Sequence, residues 1–352
     1  MDPLAVRSPN ESLTILLTSL LIVVASLVIQ RNALSAAQRP PSLSVRNAHS
    51  MVFDPRRDSV VLFGGADASK VCGDTWEWIA AAKTWRHIAD RGPAPRTFAA
   101  FAFDEARGEA ILFGGNRVLF GKDDERDTFL NDTWRFRGGV WERRDTVGPR
   151  PAARAEAAAA YDRDRKRIVL FGGYRRTAEG TVRLGDTWEW DGVRWIQAAV
   201  DGPTPRNGAA MVYDERRRRA VLFGGPGPSS ETWEWDGHGW KEYQDQPVPG
   251  RFNPAMIYDA ARGLIVRFGG WNGSNRLDDT WTRGDGPWLQ REVSGPPARN
   301  HAAFAYDRTR ARGVLFGGHD GDNVFGDTWE WNGSGWARAA FTPPQKRVDN
   351  GH

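Results

Sequence analysis

One cysteine stands in the whole chain, Cys72. A single thiol excludes an internal disulfide framework and a structural zinc cluster built on cysteines. Catalytic signatures are missing too: there is no Gly-x-Ser-x-Gly elbow, phosphate loop or His-Glu-x-x-His helix. Net charge is only +4 over 352 residues, and the basic side, nearly all arginine, is spread along the chain. Nucleic-acid binders gather Lys and Arg on one face or tail, so no nucleic-acid partner is expected. Helical periodicity is absent after residue 46, and long uncharged apolar runs are confined to Leu13–Ile29.

What the sequence has in quantity is repetition. The stretch from Arg206 to Trp240 carries an arginine, an aspartate after an aromatic, Phe-Gly-Gly, Thr-Trp and a final tryptophan, marked by Arg206, Asp214, Phe223, Trp233 and Trp240. The same landmarks open at Arg46, Arg96, Arg154, Arg251 and Arg299. In every copy the aspartate follows eight residues after the arginine, and the phenylalanine nine after that. Six copies at a period of roughly 45–58 residues are the signature of a propeller or solenoid array. Of the 17 tryptophans, twelve occupy the two tryptophan landmarks and four more (Trp78, Trp190, Trp235, Trp331) lie two residues past the first; Trp271 alone falls outside. Aromatics placed so regularly are core, each able to bury ~150–250 Å².

Each copy reads as four strands. A small/large alternation such as Gly208-Ala209-Ala210-Met211-Val212-Tyr213 is a strand, and its alanines suit the crowded axis of a wheel. Ala220-Val221-Leu222-Phe223 is a second, ended by Gly224-Gly225; Thr232-Trp233-Glu234-Trp235 is a third; Asp236-Gly237 is a hairpin signal leading to a fourth at Trp240. The fold expected is all-β, a six-bladed β-propeller of four-stranded antiparallel blades preceded by one N-terminal hydrophobic helix. With four strands in every copy, closure need not borrow a strand from the other end of the chain.

Phe-Gly-Gly at the end of a second strand, an aromatic in the third and a tryptophan in the fourth resemble the kelch repeat, six times over residues 46 to 341. Tryptophan fills the third-strand site where kelch repeats often place tyrosine. The resemblance implies less about function, since kelch propellers include protein-binding modules, sugar-oxidising copper enzymes and sialic-acid isomerising enzymes.

Ahead of the repeats, Leu13–Ile29 would span about 26 Å as a helix, enough for a short membrane crossing. Small residues follow at 33–37, as after a signal peptide. Residues 1–12 then form a tail, 13–30 an anchor or signal peptide, 31–45 a linker, 46–341 the propeller and 342–352 a C-terminal tail. The expected location is a membrane-anchored propeller outside the cytoplasm, or a secreted or periplasmic one after cleavage. Arg31 and Arg39, read strictly, favour the opposite topology.

Loops after Phe-Gly-Gly and the Gly-Pro-rich connections between copies fall on one face, the expected binding surface. Arg46, Arg96, Arg154, Arg206, Arg251 and Arg299 stand at that end. They form either a cationic ring for an acidic peptide or anionic sugar, or pairs with the acid that opens each third strand: Asp74, Asp132, Asp186, Glu231, Asp279 and Asp327. Arginines three residues after each landmark aspartate, from Arg57 to Arg310, read as turn salt bridges.

Departures between copies mark further binding candidates: Phe120 in a 16-residue insertion (116–131), Tyr174 and Arg175, Trp271, and His319. Six residues before the landmark aspartate the copies read Ala48, Phe98, Glu156, Gly208, Asn253 and His301. Glu156 and His301 could serve as an acid/base pair in the channel; alternatively Glu156 is a buried charge met by a neighbouring arginine. Closure could bring Cys72, His49, His301 and His319 together, but no tyrosine matches the kelch copper site, and no metal or cofactor is expected. The reading is a non-catalytic module binding a protein or glycan. Its alternative is a carbohydrate-active enzyme, of oxidase or sugar-isomerase type, working from the central channel.

Overall fold

A computed structural model describes residues 42–118, 128–226, 231–243 and 248–346. Leu13–Ile29, most of the expected linker, and Phe120 with its neighbours 119–127 lie outside the described residues. Among the described residues no helix is long and apolar enough to cross a membrane. The repeats form one compact unit beginning at Leu43.

That unit is a six-bladed β-propeller. Six four-stranded antiparallel sheets follow one another, each contiguous in sequence. The first comprises Ser50–Asp54, Ser59–Phe63, Thr75–Ile79 and Thr84–Ala89; the last comprises Ala303–Asp307, Arg312–Phe316, Thr328–Trp331 and Trp336–Ala340. No blade borrows a strand, and the first inner strand packs against the sixth as it does against the second.

Burial follows from this stacking. A second strand such as Ser59–Phe63 is buried at every position, because neighbouring sheets cover both of its faces. Each core cluster is accordingly shared between adjacent blades. The closing one joins Met51, Val60, Leu62 and Trp76 of the first blade to Val314 and Phe316 of the sixth. Leu43 and Val45, at the end of the expected linker, are buried as well, Leu43 within that seam.

Two sets of hydrogen bonds repeat around the wheel. The fourth-strand tryptophan donates its indole N–H to the threonine that opens the third strand of the preceding blade: Trp141 to Thr75, Trp195 to Thr133, Trp240 to Thr187, Trp288 to Thr232 and Trp336 to Thr280, at 2.8–3.1 Å. The second glycine of Phe-Gly-Gly donates its N–H to the carbonyl of the next blade's landmark arginine, as Gly173 does to Arg206 at 2.8 Å and Gly318 to Arg46 at 2.7 Å. The preceding glycine has to be glycine twice over. Gly172 has φ 68°, and a Cβ there would sit 2.5 Å from the Arg206 carbonyl oxygen.

The turn arginines pair with the landmark aspartate in blades two to six, as in Arg165–Asp162 and Arg217–Asp214, both 2.7 Å. Arg57 is the exception and reaches Glu77 at 2.7 Å instead. Beyond the six sheets, the third blade adds a hairpin of Tyr174–Thr177 and Gly180–Arg183. The expected C-terminal tail contributes Gln345–Lys346, paired with Asn323–Val324.

Candidate functional site at the channel mouth

The six landmark arginines are buried and turned into their own blades. Arg46 meets Asp74 at 2.6 Å, Arg96 meets Asp132 at 2.6 Å, Arg154 meets Asp186 at 2.7 Å, Arg206 meets Glu231 at 2.5 Å and Arg299 meets Asp327 at 2.6 Å; Arg251 pairs with Asp279. Each also donates to the carbonyl of the first glycine of Phe-Gly-Gly, at 2.9–3.2 Å. The acid completes the unit by accepting the indole N–H of the third-strand tryptophan two residues on, as Asp186 does from Trp188 at 2.6 Å. Burial alone would raise the Asp186 carboxyl, but the Arg154 and Trp188 bonds hold it below its ordinary value. The guanidinium groups are thus taken up within the blades rather than presented at the mouth.

In every copy but the fourth, the residue following Gly-Gly bridges to the one following the landmark arginine, which places Tyr174, Trp271 and His319 at equivalent points of the rim. Tyr174 is buried with its ring edge-on to Phe129 at 5.2 Å. Trp271 is half-buried beneath Arg276. Arg175 is exposed on the third-blade hairpin.

Inside that rim lies a constriction. Ala48, Phe98, Glu156, Gly208, Asn253 and His301 all have left-handed backbones, with φ between 51° and 66°. Their N–H groups bond around the axis: Phe98 to the Ala48 carbonyl, Glu156 to Phe98, Gly208 to Glu156, Asn253 to Gly208, and Ala48 to His301 across the closure. Glycine and asparagine tolerate this conformation best, and their presence in the column is its sequence signal.

Side chains from this ring form a polar chain across the mouth. The Arg183 Nε donates to Asn207 at 3.0 Å, and the Asn207 amide donates to Glu156 Oε2 at 2.6 Å. Glu156 Oε1 lies 3.7 Å from His301 Nε2. His301 Nε2 touches the Asn253 amide at 2.6 Å, and its Nδ1 meets His319 Nε2 at 2.8 Å. The Gly321 N–H donates to His319 Nδ1 at 3.1 Å, which leaves the proton of a neutral His319 on Nε2, facing His301. Glu156 and His301 do meet, and His319 joins them. The carboxyl's hydrogen-bonding neighbours are amides, with Arg183 one residue removed behind Asn207. Burial pushes Glu156 up to about 7, against the pull of the Asn207 and Asn253 amides and the Arg183 charge. Asn207 and Arg183 were not singled out from sequence, because only the fold brings the fourth blade and the third-blade hairpin to one carboxyl.

No family model matches the chain. Among curated proteins it is similar to an F-box/kelch-repeat protein of Arabidopsis thaliana, 29% identical over 203 residues, covering 52% of this chain and 39% of that one. It is also similar to acyl-CoA-binding domain-containing protein 5 of the same plant (35% over 105 residues; 29% and 16% of the two chains) and to a host cell factor homolog of Caenorhabditis elegans (26% over 164 residues; 42% and 20%). The chain therefore spans less than half the length of each. Six blades ending their second strands in Phe-Gly-Gly agree with these relatives. The chain is a six-bladed β-propeller consistent with the kelch-repeat type.

The propeller closes its opposite mouth with charge. Arg163 bridges Glu105 at 2.5 Å and Glu215 at 3.2 Å, while Arg308 lies 3.6 Å from Glu105 and also pairs with Glu215. Cys72 is buried beside Asp67, and His49 packs edge-on against Phe316 at 5.3 Å, so these two do not join the His301–His319 pair. Among the described residues no group of three or more His, Cys, Asp or Glu side chains is placed to hold a metal ion.

Proposed function

We propose that this kelch-type propeller is a protein-binding module whose loop-rich face receives the partner. The observation that carries the reading is the third-blade hairpin. It stands outside the six blade sheets and exposes Arg175, Arg176 and Val182. The landmark arginines are held within the blades and the far mouth is cross-linked, so the hairpin, with Trp271, forms the described surface where the blades differ. Exposed Arg175 near the apolar Val182 suits an acidic segment of a partner protein. Kelch-type relatives support a protein ligand; a glycan remains the second ligand class to screen.

Replacing Arg175 by Glu in the full chain tests the reading. Capture of the partner by affinity purification should be lost while the melting temperature stays within about 2 °C, since exposed substitutions leave stability within ~0.5 kcal/mol. Undiminished capture would move the site elsewhere. We further propose that Leu13–Ile29 carries the propeller out of the cytoplasm, which protease digestion of intact cells checks directly. The carbohydrate-active alternative has one observation in its favour, the meeting of Glu156 with His301 at the axis; turnover of a sugar that is lost in Glu156→Gln would establish it.

A further inference from the structure

The constriction borders an open pocket of about 140 Å³, lined by Phe98, Glu156, Asn253, His301, His49 and small residues including Ala48. At ~30 Å³ per water this is space for four or five waters. Its wall has one group of unusual chemistry. The Glu156 side chain is 1% exposed, and its Oε1 makes no close hydrogen bond, with only the Asn253 amide and, at 3.7 Å, His301 Nε2 beside it. No arginine or lysine touches it. We propose that this cavity is a binding site for one primary ammonium group on a short aliphatic stem, held by Glu156 Oε1.

The ligand class follows from what each wall offers. A buried carboxyl that no arginine or lysine meets, with a histidine 3.7 Å away as its nearest ionisable neighbour, is best completed by a cation. Oε2 already accepts from Asn207 at 2.6 Å, so Oε1 is the oxygen with more room for a new donor. A guanidinium fork needs both oxygens of a carboxylate for its bidentate pairing, whereas an ammonium is satisfied as a point charge. Phe98 presents an aromatic ring to the same space, which attracts a cation, and alanine side chains complete a wall suited to methylenes. The charged and titratable groups around Glu156 are His301 with His319 behind it, His49 in the cavity wall, and Arg183 behind Asn207. Burial and the Arg46 charge depress His49 to about 3, so it brings no positive charge at neutral pH.

Binding has a proton signature. Part of the Glu156 population is the neutral acid near neutrality, because burial holds it at about 7. An arriving ammonium stabilises the carboxylate, and the displaced proton passes to the buffer. A free small amine and a lysine side chain of a bound protein carry the same head group.

Isothermal titration of the full chain with n-butylammonium chloride at pH 6.5, in phosphate and again in MOPS, tests the site. The expected result is one-to-one binding with a buffer-dependent heat showing proton release. n-Butanol and methylguanidinium should each bind at least tenfold more weakly, and Glu156→Gln should weaken n-butylammonium at least tenfold and abolish the buffer dependence. If Nα-acetyl-lysine N-methylamide binds as well as n-butylammonium, the source is a lysine of a partner; if it does not bind, the source is a free amine. Absence of n-butylammonium binding, equal binding of n-butanol, or methylguanidinium binding as tightly would overturn the proposal. Should Glu156→Gln fail to fold, the wild-type proton release decides alone, and its absence is equally fatal.

Discussion

Trp85 of the first blade donates its indole N–H to Thr328 of the sixth at 3.0 Å, the same bond that joins every other pair of neighbouring blades. Residues 243 positions apart thus repeat a contact that elsewhere spans 53 to 66. In this bond ring closure repeats an interior seam.

Thr328→Val keeps the shape and removes the acceptor, leaving the Trp85 N–H without its partner. A loss of about 1–2 kcal/mol is expected in denaturant unfolding. Thr187→Val, which removes the acceptor of Trp240, should match it to within about 0.5 kcal/mol. A much larger loss at Thr328 would show that the closing seam is the weak point.

Arg154→Ala would strand the Asp186 carboxylate and the Gly172 carbonyl inside the third blade. The expected cost is roughly 3–5 kcal/mol, that of breaking one side of an enclosed ion pair. Arg154→Lys should recover little, because an ammonium cannot serve two carboxylate oxygens and a carbonyl in one plane. Thermal unfolding of the two variants checks both statements.

Glu156 sets a pH dependence of definite sign. Its carboxyl is raised in the folded protein from an ordinary 4.5 to about 7. Between those values the folded chain binds the extra proton, so this group's stabilising contribution is complete below about 4.5 and falls as pH rises to about 7. Glu156→Gln removes the cost of burying the charge. Relative to wild type it should gain up to about 3 kcal/mol on going from pH 4.5 to pH 8. Melting curves of the two proteins at both pH values test this, and a constant difference would contradict it.

Arg267 occupies the place held by Leu62, Leu112, Leu170, Leu222 and Leu315 in the other blades. It is fully buried, its guanidinium 4.1 Å from the Phe223 ring centre and 4.9 Å from those of Trp281 and Trp288. A buried charge is often replaceable by an apolar side chain of similar volume without loss. Arg267→Leu should therefore change stability by about 1 kcal/mol or less, or raise it, whereas Arg267→Ala should cost about 2–5 kcal/mol through the cavity it leaves. Chemical denaturation distinguishes the two.

Much of the candidate site could be read in advance by comparing copies. Glu156 and His301 stand out because four other copies place uncharged residues at that position, and both prove to lie on one ring around the axis. Asn253 was visible in the same column. Asn207 and Arg183 were not, since nothing in their own repeats distinguishes them from loop residues. His319 was noted as a rim residue, but its contact with His301 depends on how one blade's own loop folds back over its inner strand.

The sequence by itself determined the blades: their number, their four strands, the glycine turns and the enclosed tryptophans. These rest on short-range alternation and on a spacing that every copy repeats. Only the tertiary structure decided which side chains share the axis and which arginines are enclosed. Convergence at the axis arises from closing the wheel, which brings residues 145 positions apart, Glu156 and His301, to 3.7 Å. Enclosure arises from stacking each sheet against its neighbour, and no local pattern in one blade records what the next blade covers.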